Sequence, residues 1–135
     1  MPAAEYSTHM KEERGRVYGD VIIDGPYTLH HNAAISGDVR VIEGGKAYLR
    51  GNVGGDLIVD YGGRVHVYGH IHGNLIMFRG CKVIISGAIA GNATNTNSRL
   101  FIDRHGRVLG RIKTVGKHAE TQIEDAYGVK IERGK

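Results

Sequence analysis

The chain has 135 residues, enough for one domain, with a formal charge of +4 and a sequence pI near 9.3, a balance too mild and too dispersed to suggest nucleic acid as a partner. No apolar run approaches the roughly eighteen residues of a membrane span, no secretory signal opens the chain, and the lone Cys81 has no internal disulfide partner, so a cytoplasmic location without a transmembrane segment is expected. The 21 Gly against 2 Pro suit a bend-rich repeat and exclude collagen or a flexible linker.

Residues 1–14 are polar and aperiodic, and read as a mobile N-terminal arm with a short helix from Thr8 to Arg14. From residue 15 a pattern takes over. Gly19, Gly37, Gly55, Gly73 and Gly91 recur every eighteen residues, each followed by Asp or Asn. Within that period runs a beat of six. Val17, Ile23, Leu29, Ile35, Val41, Ala47, Val53, Val59, Val65, Ile71, Met77, Val83 and Ile89 are apolar without a miss.

A helix would throw residues six apart onto nearly opposite faces, since six residues turn through about 600°. A short strand and a bend, repeated every six residues, keep them all pointing the same way. The expected fold is therefore all-β: a single-stranded parallel β-helix, or β-solenoid, of about five coils. Each eighteen-residue coil has three six-residue sides, and strands of successive coils stack about 4.8 Å apart. Leu57, Val67, Leu75 and Ile85 join the six-beat residues in the predicted core, and Gly51, Gly62, Gly63, Gly69, Gly80 and Gly87 sit near bends.

The first coil is irregular, as terminal coils tend to be. Residues 37–90 form the regular body. The segment Gly91-Asn-Ala-Thr-Asn-Thr-Asn-Ser98 breaks the beat and reads as an inserted loop at about 92–99. The pattern returns at residues 100–112, closing a solenoid over 15–113. Residues 114–135 then supply a C-terminal cap or tail, with a short helix from Ala119 to Ala126 and a strand-like end.

Because eighteen is even, outward residues form ladders. Asp20, Asp38, Asp56, Asn74 and Asn92 make one; such residues satisfy backbone groups at bends, or hold a cation, and the first use is expected. Lys46, Arg64, Lys82 and, across the interruption, Arg107 form a basic ladder that discourages lateral aggregation or attracts a phosphate or an acidic partner. Ile58, Ile76 and Phe101 share a column, Ile42 and Phe78 occupy the next, and Ile84 tops another. These six residues are the candidate interaction face. Such patches mark contact with another copy, one protein partner or a membrane surface, unless an arm or tail covers them.

Of eight histidines, His66, His70 and His72 face outward, with His30 assigned to the His66 column. A metal needs three or four converging ligands, so a solvated histidine cluster is expected in preference to a metal site. No nucleophile motif, phosphate loop or diagnostic carboxylate pair appears, so neither catalysis nor a cofactor is expected.

The repeat Gly-Asp-Leu-Ile-Val-Asp with Val-Tyr-Gly-His-Ile-His-Gly-Asn-Leu, and the run Arg99-Leu-Phe-Ile-Asp to Gly106-Arg-Val-Leu-Gly-Arg-Ile112, resembles the bactofilins, bacterial polymer-forming cytoskeletal proteins. The resemblance spans roughly residues 15–113. It implies a right-handed triangular β-helix that joins end to end through its terminal coils into nucleotide-free filaments. The left-handed β-helix of hexapeptide-repeat acyltransferases also has three six-residue sides, but it prefers a small residue two before each marked position. Val21, Val39, Leu57 and Leu75 stand there instead. A non-catalytic scaffold that self-associates through its ends or an apolar face is thus the first expectation. A protein-binding module, such as a toxin-neutralising immunity protein, is the second, and a hexapeptide-type acyltransferase the third.

Overall fold

The computed structural model describes residues 12–135. The chain enters as β1 (Glu12–Glu13) and then winds through six coils of three strands. They are β2 (Arg16–Val17), β3 (Val21–Ile23) and β4 (Pro26–Leu29); β5 (Ala34–Ile35), β6 (Val39–Val41) and β7 (Lys46–Leu49); β8 (Asn52–Val53), β9 (Leu57–Val59) and β10 (Arg64–Val67). Next come β11 (His70–Ile71), β12 (Leu75–Met77) and β13 (Lys82–Ile85); β14 (Ala88–Ile89), β15 (Ala93–Thr96) and β16 (Arg99–Ile102); β17 (Arg107–Val108), β18 (Ile112–Val115) and β19 (Glu120–Asp125). β20 (Gly128–Arg133) ends the chain.

The strands stack into three faces. Face 1 runs β2-β5-β8-β11-β14-β17, face 2 runs β3-β6-β9-β12-β15-β18, and face 3 runs β1-β4-β7-β10-β13-β16-β19-β20. Every pairing is parallel except the last, where β20 folds back antiparallel on β19. The fold is the expected parallel β-solenoid, with six coils where the sequence suggested about five. All thirteen residues of the six-beat are buried, together with Leu57, Val67, Leu75 and Ile85. Burying a Leu or Ile contributes about 1.5–3 kcal/mol, and here such side chains stack in unbroken columns down the axis.

The Gly-Asp pair of each coil has a mechanical cause. Asp20 Oδ1 accepts the Asp38 N–H at 2.7 Å, Asp38 Oδ1 that of Asp56 at 2.7 Å, and Asp56 Oδ1 that of Asn74 at 2.7 Å. Asn74 Oδ1 then serves Asn92 N at 2.8 Å, and Asn92 Oδ1 serves Arg111 N at 2.9 Å. From Gly37 onward the glycine of each coil leaves room for that side-chain oxygen: a Cβ on Gly73 would sit 2.2 Å from Asp56 Oδ1. The ladder is thus a hydrogen-bonded seam between coils. Asp56→Ala strands the Asn74 N–H and is expected to cost about 1–3 kcal/mol. Asp56→Asn keeps the acceptor and should cost less than about 1 kcal/mol. Urea denaturation of the two variants separates them.

Several sequence expectations change. Residues 1–11 lie outside the described residues, but Glu12–Glu13, assigned to a mobile arm and a helix, is strand β1 paired with β4. The loop expected at 92–99 is instead β15 and a tight turn at Asn97, which has φ 50°. Two of its polar residues, Asn95 and Ser98, point inward. Asn95 and Thr121 are fully buried and Ser98 nearly so. Asn95 Nδ2 donates to Glu120 O and Thr121 Oγ1, both at 3.1 Å, and Asn95 Oδ1 accepts Ser98 N–H at 3.0 Å. No buried side-chain N or O among the described residues lacks a partner, so the polar core carries no desolvation debt. The helix expected from Ala119 to Ala126 is strand β19, whose pairing with β16 overrides the helix preference of its Ala and Glu residues.

Candidate functional site

Register decides which outward residues are neighbours, and it departs from the eighteen-residue repeat at both ends of the solenoid. Between β10 and β13 Arg64 pairs with Lys82, a full repeat apart, but Lys82 then pairs with Arg99. The turn after β15 is one residue shorter than those after β6, β9 and β12, and residues 103–106 carry two extra, so Arg107 pairs with Ala88 across nineteen positions. Two ladders read from the sequence are redrawn as a result.

The basic ladder lies on face 3. Lys46, Arg64, Lys82 and Arg99 occupy one column of β7, β10, β13 and β16, all exposed. Arg107, expected as the fourth rung, stands on face 1 beside Ala88. The column opens at Pro26 and ends at Glu120. Among the described residues none of the four cations is in an ion pair; the carboxylate partners go to Arg14, His30, Arg40 and Arg133. Lys46 Nζ lies 5.8 Å from the Tyr48 ring centroid.

The apolar patch divides between two faces. Ile58 and Ile76 pair on face 2, with Arg40 before them as expected, and Ile42 and Phe78 follow in the next column on either side of Asp60. Arg40 holds Asp60 at 2.8 Å and so places an ion pair in the midst of the patch. Phe101 does not join this column. It pairs with Ile84 on face 3, in line with Tyr48 and His66. Ile84 and Phe101 therefore form a separate, half-buried stripe next to the basic ladder.

The histidines also part company. His66 is on face 3, His70 on face 1 and His72 in the turn beyond it, while His30 falls one column past His66 and contacts Glu12 Oε1 at 3.1 Å. Among the described residues no three His, Cys, Asp or Glu side chains are placed to hold a metal ion. Cys81 is buried, its amide N–H donating to Ser98 Oγ at 2.9 Å, and burial pushes its thiol up. Such a thiol is a poor nucleophile.

One constellation was invisible in the sequence. His66 Nε2 lies 2.8 Å from Ser86 Oγ, and the serine hydroxyl donates in a very short bond to Asp103. His66 stacks on Tyr68 at 3.9 Å, and the Arg50 guanidinium lies 4.4 Å over Tyr68. The three polar residues are 20 and 17 positions apart, a spacing set by the coil and its slip. Their order is not that of a nucleophilic triad. There the histidine takes the serine proton and the carboxylate orients the histidine; here the serine hydroxyl donates to the carboxylate, which leaves its oxygen to accept from the imidazole. The arrangement is a chain of hydrogen bonds tying three coils together.

Its electrostatics set an acid response. Burial pulls the His66 pKa below the usual 6.5, partly offset by Asp103 and reinforced by Arg50. For Asp103, burial acts upward but is outweighed by the Ser86 hydroxyl and by the His105 and Gly106 amides, so its pKa falls below 3.8. A histidine with a lowered folded pKa binds its proton more readily when unfolded. Its contribution is complete above about pH 6.5 and is lost as pH falls towards the folded value. The melting temperature is expected to decline between pH 7.5 and 5, and His66→Gln to flatten that decline; the Asp103 loss belongs to a separate range below pH 4. Thermal melts across pH check both.

No helix among the described residues is long and apolar enough to cross a membrane. No family model matches the chain, and neither a curated protein nor a solved structure does so.

Proposed function

We propose that the chain is a non-catalytic structural protein whose copies join end to end through the last coils of the solenoid. The open C-terminal end carries this reading. β17 and β18 are the last strands of their faces and each pairs on one side only, while β20 extends face 3 alone. Val108, Ile112 and Ile123 pack on the core but are only partly covered, and Leu109 beside them is 67% exposed. Unpaired edges above an incompletely covered apolar core are a template for pairing with another chain. The repeat's resemblance to the bactofilins supports the same reading, and with it nucleotide-free filaments in a bacterial cytoplasm.

Light scattering and negative-stain microscopy of the purified protein across concentration, without nucleotide, test the proposal. Particles should lengthen as concentration rises. A monodisperse monomer throughout would sink it. In that event the face 2 patch of Ile22, Ile58, Ile76 and Phe78 favours the second reading, a module that docks one protein partner, such as a toxin-neutralising protein.

A further inference from the structure

The basic ladder and the apolar stripe of face 3 run side by side, two residues apart along each strand. Two recesses lie along them in line with the solenoid axis. One is lined by Lys46, Tyr48, Arg64, His66, Lys82 and Ile84, and the other by Lys82, Ile84, Arg99, Phe101, Glu120 and Gln122. They share Lys82 and Ile84, so together they form one shallow groove with a cationic wall and an apolar wall. Glu120 closes it. That carboxylate is engaged by Gln122 at 2.9 Å and Arg133 at 3.4 Å, and it also feels the charge of Arg99, its neighbour across the strands.

Four positive charges at even spacing, none in a salt bridge among the described residues, suit an anionic occupant, and the spacing chooses its form. Successive rungs are about 4.8 Å apart, so the ladder spans about 14 Å. An extended acidic peptide presents same-side residues about 6.7 Å apart and overshoots by about 6 Å in three steps. A helix presents a stripe of i, i+4, i+7 residues at a pitch of about 5.4 Å, or about 16 Å over three turns. That difference is within the reach of flexible Lys and Arg side chains. A bare polyanion would satisfy the ladder and leave Tyr48, Ile84 and Phe101 uncovered. A helix about 10–12 Å across spans both walls at once.

We propose that this groove docks an acidic amphipathic helix of a second protein, with carboxylates on Lys46, Arg64, Lys82 and Arg99 and apolar side chains on Tyr48, Ile84 and Phe101. The helix lies along the solenoid axis and covers about four of its own turns. Docking is lateral and does not depend on end-to-end joining, so a copy held as a monomer binds equally well. In a filament the groove recurs in every subunit, which gives the partner a repeated array of sites.

The test uses fluorescence anisotropy with the whole chain and synthetic capped peptides of about 18 residues, long enough to hold a helix. The first has Glu along one stripe and Leu along the next; the second has the same composition scrambled. Linear polyphosphate is the third probe. The amphipathic peptide is expected to bind at least tenfold tighter than its scramble, with affinity falling as salt rises. Arg64→Glu with Lys82→Glu should abolish binding, and Ile84→Ala should weaken it severalfold. Arg107→Glu, on another face, should leave it unchanged. Circular dichroism and melting of each variant verify the fold, and Lys82→Gln serves as the milder probe if the double reversal does not fold. Equal binding of the scramble or of polyphosphate would overturn the proposal in favour of a simple polyanion site. No binding of the amphipathic peptide, or an equal loss with Arg107→Glu, would overturn it too.

Discussion

Gly69→Ala is expected to unfold the solenoid or to cost about 4 kcal/mol or more, the range reached when a side chain is forced into closed backbone. A Cβ at this position would stand 2.0 Å from Gly51 O, 2.6 Å from Arg50 O and 2.8 Å from Arg50 C. None of these atoms belongs to a side chain, so nothing can rotate away. The clash is relieved only by separating two coils, which breaks the Gly69 N–H bond to Leu49 O at 2.9 Å and the His70 N–H bond to Gly51 O at 3.3 Å. Gly87 stacks on Gly69 in the same way, so the strain would reach the coils on either side. His70→Ala, one residue along and exposed, should stay within about 0.5 kcal/mol. Urea midpoints followed by circular dichroism compare the two. A native midpoint for Gly69→Ala would contradict the stacking described here.

Val108→Glu combined with Ile112→Glu is expected to abolish end-to-end growth while leaving the first five coils folded. Both residues face the core column at the open end, where joining would seal them from water. Two carboxylates buried there without partners would each cost several kcal/mol, which opposes joining at that end. Each coil contacts mainly its neighbours, so damage to the last coil stays local. Light scattering should report a monomer at concentrations where the parent chain forms long particles. Ile58→Glu, in the middle of face 2, separates the two routes to assembly. It should leave particle length unchanged if copies meet at their ends, and shorten it if they meet through the face 2 patch.

The body of the fold was legible because its cause is local and repeated. Side chains at every sixth position face one interior, and Val17 to Ile89 state this without interruption. The later coils were harder to read, for two reasons. Asn95 and Ser98 are polar residues inside the core, satisfied by a bond to each other, by Thr121 and by the distant Glu120 and Phe78 carbonyls. A polar run at 91–98 therefore resembled a loop. The single-residue slip then moved Phe101 and Arg99 into columns that an unbroken count assigns elsewhere. One position of slip turns a side chain to the other surface of a strand, so small errors of count have large effects on predicted faces. The His66, Ser86 and Asp103 chain lay beyond reach for the same reason.

The change in the interior from hydrocarbon to amide and hydroxyl, at Asn95 and Thr121, gives the stack a grain. Leucine resting on valine accepts nearly any neighbour above or below, so the middle of the rod could lose or gain a whole turn and still close on itself. Asn95 admits only a partner that answers its donors and acceptor, and it fixes which turn lies beside it. The two ends of the rod are accordingly not interchangeable, and a copy arriving at one meets a different chemistry from a copy arriving at the other.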